Sequence, residues 1–127
     1  LPFAKDSLTS YDAKDIFYGT FKGALQGEGS RSGFEVEIKV VKTKNQDKYT
    51  SEKQPYLTSV SVALEKKITQ DSSFYVATNV TISQNTIYFE CDGDYTITFD
   101  ENDETYSLTY TTDAGASYTS TLTKQSF

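Results

Sequence analysis

The chain has no histidine, no methionine and no tryptophan, one cysteine (Cys91) and only two prolines. Each absence removes a class of chemistry. Without histidine there is no Ser-His-Asp or Cys-His nucleophile pair, no His-ligated zinc and no imidazole titrating near neutral pH. One cysteine makes no internal disulfide. No apolar run approaches the length of a membrane-spanning helix. Cations are also scarce, with 12 Lys and Arg against 18 Asp and Glu. The resulting charge of −6 and a pI near 4.6 speak against nucleic acid or an anionic membrane as the main partner.

What remains is aromatic and β-branched. Ten Tyr and eight Phe fall in 127 residues, enough for one domain with one packed core and too apolar for a disordered tail. Ser, Thr and Tyr crowd the second half, the composition of an extracellular or envelope β-protein. The chain starts at Leu1 and contains no methionine, which fits a processed secreted or lipid-anchored precursor and equally a trimmed chain. Asn79-Val80-Thr81 is a glycosylation sequon, relevant only where the source glycosylates.

The dominant period is two. Phe34, Val36, Ile38 and Val40 alternate with Glu35, Glu37 and Lys39, and Val60, Val62 and Leu64 follow the same rule. Phe74, Val76, Thr78, Val80 and Ile82 read as one inward row, with Tyr75, Asn79, Thr81 and Ser83 outward. The pattern continues in Ile87/Phe89/Cys91, Tyr95/Ile97/Phe99, Tyr106/Leu108/Tyr110 and Tyr118/Ser120/Leu122; Phe17, Gly19, Phe21, Gly23 and Leu25 begin it.

Turn chemistry separates the runs. Residues 26–33 are a glycine-rich hairpin loop and Asp92-Gly93 a tight hairpin signal. Residues 83–85, 101–104 and 113–115 are short polar connections, and the longest link, 43–56, carries Pro55. Eight strands joined mostly by hairpin loops make an antiparallel meander. Such a meander closes most simply into an up-and-down barrel, which removes its exposed edges; a two-sheet β-sandwich is the alternative. Residues 1–127 thus form one domain, with 1–15 an irregular N-terminal segment holding one helical turn over 9–14.

The run Tyr18-Gly19-Thr20-Phe21-Lys22, followed by a meander over nearly the whole chain, resembles the calycin superfamily of lipocalins, fatty-acid-binding proteins and avidins. Gly19 and Phe21 stand where those families carry a Gly-x-Trp, and small bacterial lipocalin-like lipoproteins look most similar. Avidins depend on tryptophans for biotin, so biotin is not the expected ligand. The resemblance implies a lipocalin-like barrel holding a small apolar or aromatic molecule. The inward rows supply the lining: Phe34, Val36, Phe74, Val76, Phe89, Tyr95, Tyr106, Tyr110 and Tyr118. The same residues equally fill a barrel packed solid. In either case the inward tyrosines need hydroxyl partners, from each other, Thr78, Ser120, water or ligand.

Charge is uneven. Residues 1–63 hold nine basic and eight acidic side chains, residues 64–127 three and ten. Lys42, Lys44, Lys48 and Lys53 cluster in the second connection, a candidate dock for an acidic protein. In a meander that connection and the acidic 101–104 turn share one end, on opposite sides of the barrel. Asp100, Asn102 and Glu104 begin like a calcium loop, but Thr105 stands in place of the sixth-position Gly and Thr111 in place of the twelfth-position Glu. A solvated hairpin is the reading, and neither metal nor cofactor is expected.

The strand carboxylates Glu35, Glu37, Glu65 and Glu90 read as outward, so no pair converges across a cleft. Cys91 reads as a small buried hydrophobe, and the 27–33 loop precedes a strand and lacks Lys-Ser/Thr, so it is no phosphate cradle. The expectation is therefore a non-enzymatic, secreted or envelope binder of a small apolar molecule. Its alternatives are a protein-interaction module of inhibitor or adhesin type with a solid core, and a carbohydrate-binding sandwich using Tyr75 and Tyr88.

Overall fold

The computed structural model describes residues 16–44, 56–65 and 73–125, and within these the backbone is all β. Its strands are β1 (Gly19–Ala24), β2 (Gln26–Gly27), β3 (Glu35–Lys44), β4 (Tyr56–Glu65) and β5 (Tyr75–Val76), then β6 (Thr78–Ser83), β7 (Thr86–Glu90), β8 (Gly93–Asp100), β9 (Thr105–Thr112) and β10 (Ser117–Gln125). Leu25 alone separates β1 from β2, and Ala77 alone separates β5 from β6, so ten segments amount to eight passes of the chain.

Each pass pairs antiparallel with the next, and β1 returns to β10. The pass at 75–83 carries the remaining seam, with β5 on β4 and β6 on β7. Ala77 N–H adds a 2.8 Å bond to the Val60 carbonyl. One continuous sheet therefore wraps into the expected antiparallel barrel. The sandwich alternative fails because the ladder never divides into two sheets.

Up-and-down topology sorts the connections to two ends. The 28–34 loop, the Cys91-Asp92 turn and the 113–116 turn lie at one end, here called the mouth. The entry at Ile16 and Phe17 and the turns at 84–85 and 101–104 lie at the base. The end of β3, with Lys42 and Lys44, reaches the base as well. It stands four strands from β8 in the ring, across the barrel from the acidic turn. Lys48, Lys53 and the N-terminal segment 1–15, with the helical turn expected over 9–14, lie outside the described residues.

Inward residues register across strands as tiers. Phe89 pairs with Tyr95, Tyr95 with Tyr110, and Tyr110 with Tyr118, forming the tier next to the mouth. Ile87, Ile97, Leu108 and Ser120 form the second tier, and Phe99, Tyr106 and Leu122 the third. Val36, Ile38, Val40, Val60 and Val62 close the core from the other side, all buried. Each such side chain contributes about 1.5–3 kcal/mol by leaving water. The outward rows of β8 to β10 are mostly Ser and Thr, which suit a solvated pleated surface.

The 75–83 pass departs from strict alternation. Thr78 pairs with Glu90 but Thr81 pairs with Tyr88, a slip of one residue centred on Asn79, whose φ is +53°. Such a bulge exchanges the two faces of everything before it. Val80 and Ile82 are half-buried as expected, whereas Thr78 is exposed and Ala77 is buried in its stead. Val76 is 70% exposed and Phe74 lies on the outside, its ring 4.3 Å from Lys39 Nζ. Neither is an inward lining residue. Tyr75, read as outward, is paired in register with the inward Val62, yet its side chain is exposed as expected.

Candidate functional site

The glycine-rich loop positions the site. Leu25 N–H bonds to the Phe34 carbonyl and Gly33 N–H to the Leu25 carbonyl, each at 2.8 Å, pinning both ends of the loop. Gly33 has φ +86°, in the left-handed region that glycine adopts without strain. Gly29 lies against the Tyr118 hydroxyl, where any Cβ would collide with it. The loop is thereby drawn down onto the mouth tier, and Arg31 N–H donates to the Tyr118 hydroxyl at 2.9 Å.

Arg31 then reaches across the mouth. Its Nη1 donates to Asp92 Oδ2 at 2.6 Å and also to the Tyr110 hydroxyl. Tyr95 donates to the other carboxylate oxygen of Asp92, at 2.6 Å. Burial pushes the Asp92 carboxyl up, but hydrogen bonds from Tyr95, Arg31 and Tyr110 outweigh it, and the group titrates below its usual range. Burial, followed by the bond to Asp92, drives Tyr95 far above an ordinary phenol. Burial likewise pushes Tyr110 up to about 12. The hydroxyls of Tyr95, Tyr110 and Tyr118 thus meet one arginine, one aspartate and one backbone amide. At the base, Tyr106 donates to the Ile16 carbonyl at 2.7 Å.

Beside this knot lies a cleft of about 540 Å3, lined by Arg31, Phe34, Val62, Leu64, Tyr75, Val76, Cys91 and Asp92. Cys91 is half-buried in its wall, with a thiol raised by burial and then by the Asp92 charge. The cleft divides the expected lining. Phe34 and Val76 border it, Val76 as an exposed rim residue. Val36, Phe89, Tyr95, Tyr106, Tyr110 and Tyr118 belong to the packed interior and do not line it. Phe74 is away from both.

The interior rings touch one another. Phe89, Tyr95, Tyr110 and Tyr118 stack with successive centroids 5.1, 4.2 and 5.9 Å apart. Phe21 and Phe99 each lie 4.8 Å from Tyr106. Such spacing is direct ring contact. Alternation puts Leu64 on an inward row but marks neither Arg31 nor Asp92; Arg31 stands in a loop whose path a sequence does not specify. The glycines that seat that loop were the available signal.

Elsewhere, Asp100 Oδ1 accepts from the amides of Asn102 and Asp103 at 2.9 and 3.3 Å, so it caps its own turn. On the outer face Tyr88 donates between Glu90 and Asp94, at 2.9 and 3.1 Å. No family model, curated protein or solved structure matches this chain.

Proposed function

We propose that the chain is a non-enzymatic, lipocalin-like binding protein of the cell envelope or secreted space, and that it takes a small apolar or aromatic molecule at the barrel mouth. The carrying observation is the cleft beside Arg31, walled by Phe34, Val62, Leu64, Tyr75 and Val76. Its volume is that of an ordinary small-molecule site, and its mixture of apolar walls with a few polar groups is what such sites use. The site lies above the mouth tier because the rings below it fill their own space.

The test is a titration with the neutral apolar dye N-phenyl-1-naphthylamine, followed by amide chemical shifts. Saturable shifts are expected at Leu64, Tyr75, Val76 and Cys91, with Ile97 and Leu108 unmoved. Tyr75→Ser combined with Val76→Ser, both at exposed positions, should weaken binding several-fold. Absence of saturable shifts at the cleft overturns the reading.

A second reading, a protein-interaction module, draws support from the ring-to-ring packing, which is that of a solid barrel. Native mass spectrometry of source-purified protein separates the two: a retained small molecule favours the first, a retained polypeptide the second.

A further inference from the structure

We infer that the mouth cleft selects molecules carrying a carboxylate head on an apolar body, and that Arg31 is the residue that reads the head. The inference rests on the cleft being a small-molecule site and adds the class of ligand.

A guanidinium has five N–H groups arranged as a planar fork, and it accepts nothing. Nη1 of Arg31 is committed on one side, to Asp92 Oδ2 and the Tyr110 hydroxyl. Among the described residues, Nε and Nη2 donate to no group, although the side chain lines the cleft and is 35% exposed. The edge left over is therefore a pair of parallel donors, which matches the two oxygens of a carboxylate.

The nearest internal competitor is already occupied. Asp92 receives Arg31 on Oδ2 and Tyr95 on Oδ1, so neither oxygen is left without a donor. The arginine is held rather than free to swing. Its backbone amide is bonded to Tyr118, and its guanidinium carbon lies 5.8 Å from the centre of the Tyr110 ring. Such fixing lowers the entropy lost when a ligand is bound. Phe34, Val62, Leu64 and Tyr75 share the lining of the cleft with Arg31, so a head and an apolar body can be recognised together.

The experiment compares two ligands of similar shape on the unaltered protein at pH 7: 2-naphthoate and neutral 2-naphthylmethanol, each titrated by amide chemical shift. The carboxylate is expected to bind at least tenfold more tightly, with the advantage shrinking in 0.5 M NaCl as screening shortens the reach of the charge. Arg31→Gln should bring the ratio of the two affinities close to one. Equal affinities in the unaltered protein overturn the carboxylate assignment and leave the cleft reading standing. Failure of both ligands to saturate at the cleft overturns both. A carboxylate preference that survives in Arg31→Gln removes Arg31 from the role.

Discussion

Arg31 and Asp92 stand 61 residues apart in sequence and 2.6 Å apart in space, joining the first hairpin loop to the fifth across the barrel mouth. Both are partly exposed, so their charge attraction alone is worth little. Their weight comes from what else they hold: the carboxylate also accepts from buried Tyr95, and the guanidinium also donates to buried Tyr110.

Asp92→Asn is expected to cost about 1 kcal/mol, because an amide oxygen still accepts from one donor. Asp92→Ala should cost about 2–3 kcal/mol, since it leaves Tyr95 without its partner. The Asp92 carboxyl titrates lower in the folded protein than in the unfolded chain. Its stabilisation is thus complete above the unfolded value and is lost as pH falls through the folded one. Urea unfolding between pH 7 and pH 2 should show a shallower acid loss in Asp92→Asn than in the parent.

Gly29 and Tyr118 form a second coupled pair. A methyl at position 29 meets the Tyr118 hydroxyl and its ring carbon. Gly29→Ala should destabilise by about 1–3 kcal/mol, the usual cost of overpacking. Tyr118→Phe removes the obstructing oxygen, so the double variant should be less destabilised than the sum of the singles. Additive losses in denaturant melts would contradict the contact.

Alkaline stability follows from the tyrosines. Tyr95, Tyr106 and Tyr110 all titrate above an ordinary phenol, chiefly through burial. Their contribution is whole below the unfolded value near pH 10 and disappears as pH rises beyond it, because only the unfolded chain then loses protons readily. Tyrosinate absorbance at 295 nm should therefore include a fraction that appears together with loss of the β-sheet circular dichroism, at pH 11–12.

Ser120 sits in the second tier, 6% exposed, and its hydroxyl has no hydrogen-bond partner among the described residues. Removing it takes away a buried polar group with nothing to compensate it. Ser120→Ala should raise stability by about 1 kcal/mol in urea melts. Ser120→Val, by contrast, should lower it, since the Ser120 side chain already fills the space that a Cβ on Gly23 would need and a bulkier side chain there has little room.

Much of the barrel was legible because alternation is a local property. Where one face is buried, period two marks it residue by residue, so Val36, Ile38, Tyr95, Leu108 and Tyr118 read correctly as inward. The same logic failed at Phe74 and Val76. One extra residue at Asn79 inverts the faces upstream of it, and a sequence that alternates on both sides of a bulge carries no mark of the slip. Asn79 reads in the sequence as a sequon and as one more outward residue of its row; its left-handed backbone is a choice made by the pairing partners on β4 and β7.

The tyrosine hydroxyls draw the same line. Their number and inward parity follow from the sequence, and so does their need for partners. Which partners they take was decided by tertiary structure, since Arg31 and Asp92 lie in loops whose side chains obey no period. The period-two rows determined an all-β fold, and the missing histidine determined that no imidazole takes part in its chemistry. The mouth knot, the cleft beside it and the free edge of Arg31 exist only once the sheet has closed. Closure brings the first and fifth hairpin loops within hydrogen-bonding distance, and no local preference of either loop encodes the other.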